Sequence, residues 1–263
     1  MKVAILGSGN VATHLSKSII KAGYPIKQVW SRNHNNAIDF ALEIGANSIP
    51  QIADLSNQID VIILAVSDDA IESVVAQIPI SNQQQLILHT SGSTSISILE
   101  KYAQNCGVLY PLQTFSKHHN LDFSSIPLLI EANHLQSEEQ LLMIAKKLSQ
   151  KVEKVDSENR MLIHISAVFA CNFTNHFYAI AEKLVQDSNL NFDLLRPLIL
   201  ETAQKAMLNS PIKIQTGPAK RNDAITINKH LQLLSTYPQL QNIYTVVSQD
   251  IVKMYQASNL SHK

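Results

Sequence analysis

Three short stretches carry residue types at spacings that could do chemistry. The first is Gly7-Ser8-Gly9-Asn10-Val11-Ala12, preceded by the apolar run 2–6 (KVAIL). After it, Val11, Leu15, Ile19 and Ala22 recur at helical spacing until Gly23. A glycine turn between a strand and a helix brings backbone close to an anion, and the helix start offers unpaired N–H groups and partial positive charge. Gly7 allows the tight turn, Gly9 the approach of a pyrophosphate, and Ala12 close packing of helix on strand. A second strand over 26–30 (IKQVW) completes the expected context. The turn therefore predicts a dinucleotide site contacted by Gly7, Ser8, Gly9, Asn10 and Val11. The alternative is a glycine corner with no ligand.

The second stretch is Trp30-Ser31-Arg32-Asn33, at the end of that strand. Sites for NAD or FAD place an acidic residue here to hold the ribose hydroxyls. No acid is present, which also counts against an adenosylmethionine-dependent methyltransferase. Ser31 can donate to a phosphate, Arg32 can pair with it and lie over the adenine, and Asn33 adjoins both. The expected cofactor is NADP rather than NAD. The plainer reading makes Arg32 an ordinary surface charge.

The third is His164 with Asn172 and Asn175. His164, Cys171, Asn175 and Tyr178 are offset by 7, 11 and 14 residues, so an unbroken α-helix puts them on one face, with Asn172 to the side. Hydride reduction needs a proton donor near neutral pH, and histidine is the side chain suited to it. This predicts His164 as acid/base and Asn172 or Asn175 as the orienting group. A polar stripe at a helix interface or dimer seam is the competing reading.

Further segments hold candidates for substrate. His89-Thr90-Ser91-Gly92-Ser93 ends a predicted strand, where Ser91, Gly92 and Ser93 can hydrogen-bond without crowding; a serine-rich turn capping a helix from 94 is the alternative. His89 reads equally as a satisfied strand-end histidine. Tyr110-Pro111-Leu112-Gln113-Thr114-Phe115-Ser116 offers Gln113, Thr114 and Ser116 to polar atoms, or is a plain loop. In 216–223 (TGPAKRND), Lys220 and Arg221 can clamp a carboxylate or phosphate, with Asp223 pairing Arg221 or capping the next helix.

The elements that must position these residues alternate. Strands are predicted at 26–30, 59–66, 85–89 and 106–110, with helices at 35–44, 69–77 and 94–104 between them. A strand–helix–strand piece follows at 126–132, 137–150 and 151–156. Such alternation implies a doubly wound, mainly parallel α/β sheet of Rossmann type over residues 1–156. Helical stretches at 157–187, 192–209, 222–235 and 239–257 then predict an all-α domain over 157–263.

GSGNVA, SRN, ILAVSDDAI (63–71), HTSGS and the helical second half together resemble the 6-phosphogluconate dehydrogenase-like superfamily. More narrowly, LHTSGS, GVLYPLQTFS (107–116), AVFACNFTNH (167–176) and TGPAKRNDAITINKHL (216–231) resemble a bacterial family of Rossmann-like proteins with a C-terminal domain of unknown function, whose members are described as NADP or deazaflavin-dependent oxidoreductases. The resemblance implies that the turn holding Val66 and Ser67 passes beside the nicotinamide ribose; Asp68 or Asp69 as a helix cap is compatible with this. It implies a Ser-Gly segment for substrate at 91–93. The loop from Tyr110 is similar to one that begins His-Pro in prephenate dehydrogenases, with Tyr in place of His. β-Hydroxyacid dehydrogenases carry a Lys four residues before an Asn; here Val168 and Cys171 stand in that position, leaving His164 as the nearest upstream ionisable group. Helical domains of the superfamily often form dimers, which implies a homodimer.

The resemblance and the NADP pocket together imply an oxidoreductase acting on a small carbonyl, imine or hydroxy-acid compound held between the domains. Of 263 residues, 45% are hydrophobic and 16% charged, enough for a core. Basic and acidic residues balance at 21 each, so no long-range field draws nucleic acid or an anionic membrane. Only Cys106 and Cys171 are present, giving neither a disulfide framework nor a metal cluster. No run is long enough to span a membrane and no secretory leader is expected, so the expected location is cytoplasmic. The competing functional reading is a non-catalytic NADP(H)-responsive sensor.

Overall fold

A computed structural model describes residues 1–79, 84–116 and 121–260, with side chains to 256. The chain opens with β1 (Val3–Leu6), α1 (Asn10–Lys21), β2 (Ile26–Trp30), α2 (His34–Ile44) and β3 (Asn47–Ser48). It continues through β4 (Val61–Leu64), α3 (Ile71–Val75), β5 (Leu86–His89), α4 (Ser97–Glu100) and β6 (Asn105–Pro111). Then come β7 (Leu128–Ala132), α5 (Leu135–Leu148), β8 (Val152–Lys154) and α6 (Ser157–Ala167). The remaining α-helices are α7 (Thr174–Asp187), α8 (Arg196–Leu208), α9 (Pro211–Ile214), α10 (Ala224–Leu233) and α11 (Pro238–Leu260).

The eight strands form one sheet in the order β3-β2-β1-β4-β5-β6-β7-β8, parallel except where β6 meets β7. Continuous apolar runs make this possible: VAIL of β1, VIIL of β4 and LILH of β5 are buried at every residue, as strands covered on both faces must be. On one face Leu15, Phe40, Leu141 and Ile144, carried by α1, α2 and α5, close a core cluster; on the other Val74, Val75 and Leu99 do so from α3 and α4. Register aligns the strand ends. Leu6 pairs with Trp30 and Leu64, Leu64 with His89, and His89 with Val108. The loops that follow therefore leave along one C-terminal edge, where ligands of such sheets bind.

Several predicted elements shorten, each for a local reason. The strand at 59–66 contracts to Val61–Leu64, and the helix at 69–77 becomes a single 3-10 turn, Asp68–Ala70, leading into α3. Of the helix at 94–104 only Ser97–Glu100 is α-helical, because Ser91 Oγ takes up the N–H groups of Ser93 and Thr94 in a side-chain turn. The stretch at 157–187 is not one α-helix. A π-helical segment, Val168–Phe173, separates α6 from α7.

The chain divides into two compact units, Met1–Phe173 and Thr174–Lys263; the change in sequence pattern falls earlier, at Asp156. The first unit thus includes α6. The second is helical throughout apart from its connections. Among the described residues no helix is long and apolar enough to cross a membrane, and no group of three or more His, Cys, Asp or Glu is placed to hold a metal ion.

Candidate active site

The glycine turn is built as its sequence demands. Gly7 has φ +125°, and a Cβ on it would lie 2.1 Å from the Ala65 carbonyl oxygen, so only glycine lets β1 and β4 close at this point. Its N–H donates to the Trp30 carbonyl at 2.7 Å, tying the turn to the end of β2. Gly9 caps α1 without a side-chain bond, leaving the first-turn N–H groups open. A Cβ at Gly9 would meet nothing within 4 Å. Above this turn lies a crevice of about 500 Å³, lined by Gly7, Ser8, Gly9, Trp30, Ser31, Arg32, Val66 and Ser67 among others.

The rim of the crevice suits an anion. Ser8 Oγ donates to Ser31 Oγ at 3.0 Å, and Arg32 is exposed beside them. Asp69 stands on the facing turn; a hydrogen bond from the Ser67 hydroxyl holds its carboxyl below the usual range, and the Arg32 charge adds to the effect. Two predicted contacts have other work. Asn33 caps α2, its side chain accepting from the Asn35 N–H at 3.0 Å. Asn10 Nδ2 donates to the Phe115 carbonyl at 2.9 Å, while His14 Nε2 bonds the Ser116 carbonyl at 2.9 Å and its ring lies 5.2 Å from that of Phe115. The loop after β6 is thereby strapped to α1. Open helix N–H groups, uncrowded glycine backbone and a basic, acid-free strand end fit a phosphorylated dinucleotide.

Further along the edge the structure assembles a second set of groups. Tyr110, near the end of β6, places its hydroxyl 3.1 Å from His164 Nδ1 on α6, the two rings meeting edge to face with centroids 5.9 Å apart. Both stand over Gly92: a Cβ there would lie 2.7 Å from His164 Nδ1 and 2.7 Å from Tyr110 Cζ. Beside them Ser93 Oγ donates to the Asp68 carboxylate, and Ser91 Oγ donates to Thr94 Oγ1 at 2.9 Å. Burial pushes the Tyr110 phenol above its usual range; the Asp68 charge reinforces this and the Arg160 charge opposes it.

Arg160 holds these pieces in place. It lies one helical turn before His164 and is 1% exposed. Its guanidinium bonds Glu131 of β7 through Nη1 and the Thr94 carbonyl at 2.6 Å through Nη2. Ser157 at the start of α6 also donates to Glu131, at 2.8 Å. One buried ion pair therefore joins α6, β7 and the loop that carries Gly92. His89, wholly buried, accepts from the Ser91 N–H through Nδ1, and its pKa is lowered to about 4, first by burial and then by the Arg160 charge. It is neutral at pH 7, and Nε2 has no hydrogen-bond partner, although the Ser95 carbonyl is close enough to favour the charged form slightly.

The other predicted residues are placed less centrally. Gln113 Oε1 accepts from the N–H and hydroxyl of its neighbour Thr114, and both side chains are exposed. Asn172 lies exposed in the π-helical segment. That segment turns the chain more slowly than an α-helix does, shifting the face by roughly 100°. The expected common face for His164, Cys171, Asn175 and Tyr178 is therefore broken at Val168. Asn175 belongs to the helical unit, where it lines a groove with Tyr178 and Arg196. Lys220 and Arg221 are exposed in that unit too; Lys220 Nζ lies 5.3 Å from the Tyr255 ring centroid, and Asp223 caps α10 through the Thr226 N–H at 3.0 Å. Sequence reasoning missed Asp68 and Arg160 as site-forming residues and saw Tyr110 only as part of a loop. The four-residue step from Arg160 to His164 was the available signal; the partner Glu131 had none.

Residues 2–92 match the family described as "NADP oxidoreductase coenzyme F420-dependent", and residues 126–251 match a domain of unknown function, DUF2520. The solved structure of the Bacteroides fragilis "putative NADP oxidoreductase BF3122" is 37% identical, with 96% of this chain and 98% of that one covered and a TM-score of 0.88. The chain belongs to that protein's family. The chain joins an N-terminal Rossmann domain of the NADP oxidoreductase type to a C-terminal DUF2520 domain. The DUF2520 match starts at Ile126, so it takes in β7, α5 and β8 as well as the helical unit.

More distant structures share the fold. Protein TM1727 of Thermotoga maritima is 18% identical over 98% of this chain and 99% of its own, with a TM-score of 0.73. A reductive aminase of Aspergillus terreus, solved with NADPH and ethyl levulinate, is 16% identical over 97% of this chain and 98% of its own, with a TM-score of 0.70. No curated protein sequence matches the chain significantly.

Proposed function

We propose that the protein is an NADP(H)-dependent oxidoreductase acting on a small carbonyl, imine or hydroxy compound. One observation carries this reading: the crevice over Gly7–Gly9 ends in Ser31 and Arg32 with no acid at the β2 terminus. The N–H groups opening α1 would take the pyrophosphate, and Ser31 and Arg32 the 2′-phosphate. Val66 and Ser67 would flank the nicotinamide half. Bound NADPH supplies a hydride; the chain supplies orientation and a proton. Ser91 and Ser93 would orient the substrate heteroatom, and His164 would exchange the proton.

Calorimetry with NADPH and NADH, followed by NADPH oxidation against cyclic imines and 2-oxo acids, tests the reading. Tighter binding of NADPH is expected, with that preference lost in Arg32→Asp. Equal affinities in wild type and variant would remove Ser31 and Arg32 from the 2′-phosphate site. NADPH binding without turnover of any compound would favour the sensor reading.

A second copy of the chain completes the proposal. Helices α7 to α10 contain no buried residue, and their apolar side chains stand open to solvent, Leu198 at 63% and Met207 at 86% exposure. A helical unit without a core needs a permanent apolar partner, and obligate homodimers bury such faces over roughly 2,000 Å² or more. Sedimentation at micromolar concentration should give a dimer; a stable monomer would end this part of the reading.

A further inference from the structure

We infer that Tyr110 and His164 act as one proton-transfer pair, Tyr110 giving its proton to the substrate heteroatom and His164 replacing it; this rests on the oxidoreductase reading. The two rings come from elements far apart in sequence, yet both stand over Gly92, where no side chain fits. Ser93, Tyr110 and His164 are each only half-buried, so a substrate seated beside them would meet the phenol and the imidazole together. Tyr110 stands near the end of a sheet strand and is half-buried, so its hydroxyl is held in place rather than swinging in solvent. Its raised ionisation keeps the proton on oxygen at neutral pH, as a general acid requires. His164 Nδ1 is the atom bonded to that oxygen.

The proton balance closes. In the reductive direction a hydride from the bound cofactor reaches the substrate carbon, and the C=O or C=N π pair moves to the heteroatom. The Tyr110 O–H bond breaks and its proton joins that heteroatom. The phenolate then takes the Nδ1 proton of imidazolium His164, which is recharged from water. Among the described residues, the charged groups around the pair are Asp68 from the turn after β4, and Arg160 on His164's own helix, ion-paired to Glu131 of β7. His89 at the end of β5 stays neutral above about pH 4.

Two measurements test the pair. In cofactor-free protein, the nitrogen resonance of His164 Nδ1 should shift between wild type and Tyr110→Phe as its hydrogen bond is removed; superimposable spectra would overturn the pairing. In NADPH oxidation with the cyclic imine or 2-oxo acid turned over best, Tyr110→Phe and His164→Gln should each lower kcat about 100-fold. KM for NADPH should stay within about twofold, and His164→Gln should flatten the pH profile near neutrality. Full activity in Tyr110→Phe with an inactive His164→Gln would make His164 the sole acid and overturn the pair. NADPH binding without turnover would overturn the pair and leave the dinucleotide site standing, whereas no NADPH binding at all would overturn the parent reading.

Discussion

The two units are held together by different means. In the first, β1, β4 and β5 are buried at every residue and two apolar clusters line the faces of the sheet. In the second, four successive helices contain no fully buried residue. A sheet closed on both sides by its own helices is a self-sufficient core, and it can carry precise geometry on its edge. The candidate chemistry is accordingly concentrated on the first unit, and the proposed dimer contact on the second.

If the first unit is self-sufficient, the largest loss should come at Gly7. Gly7→Ala places a Cβ against the Ala65 carbonyl at a backbone angle that alanine resists, so more than about 4 kcal/mol should be lost in denaturant titration. A loss below about 1 kcal/mol would mean that β1 and β4 do not meet as described. Arg160→Met comes next. It leaves the Glu131 carboxylate, which is mostly buried, without its cation, at roughly 3–5 kcal/mol; the double variant with Glu131→Leu should recover part of this.

His89 gives a smaller, pH-dependent effect. Its folded pKa of about 4 lies below the unfolded value near 6.5, so the unfolded chain binds the proton first as pH falls. Its contribution is complete above about pH 6.5 and disappears by about pH 4, at most about 3 kcal/mol. Thermal unfolding from pH 7.5 to 4 should show this slope, and His89→Gln should flatten it. The smallest effect belongs to the second unit. Leu198→Lys with Met207→Lys should change the stability of the isolated protomer by less than about 0.5 kcal/mol, because both side chains are already in water. The same pair should abolish the dimer in sedimentation. A large loss of protomer stability would mean that those residues are packed within it.

What was legible in the sequence was local. The glycine turn, its flanking strand and helix, and the Ser31-Arg32 corner lie within a few residues of one another, and each carries its own conformational signal. The strands of the sheet were legible because doubly covered strands must be apolar throughout. The chemical end of the site was not, because Tyr110, Gly92 and His164 meet only through tertiary packing. Glu131 reads as an ordinary strand charge until Arg160 is placed against it. Periodicity also assumed an unbroken helix past Ala167, and a π-helical segment leaves no mark in a hydrophobic pattern. Serine hydroxyls at 91–97 competed with the helix expected from 94 in a way that composition does not reveal.

The strap from Asn10 and His14 to the carbonyls of Phe115 and Ser116 has a kinetic consequence. The same two turns of α1 whose N–H groups would take a diphosphate also hold down the loop running on from Tyr110. A ligand that stiffens one end of that helix stiffens the other, so the reaction should run in compulsory order, nucleotide on first and nucleotide off last. Product-inhibition patterns would reveal it. Asn10→Ala together with His14→Ala should relax the order toward random addition while the nucleotide affinity changes little.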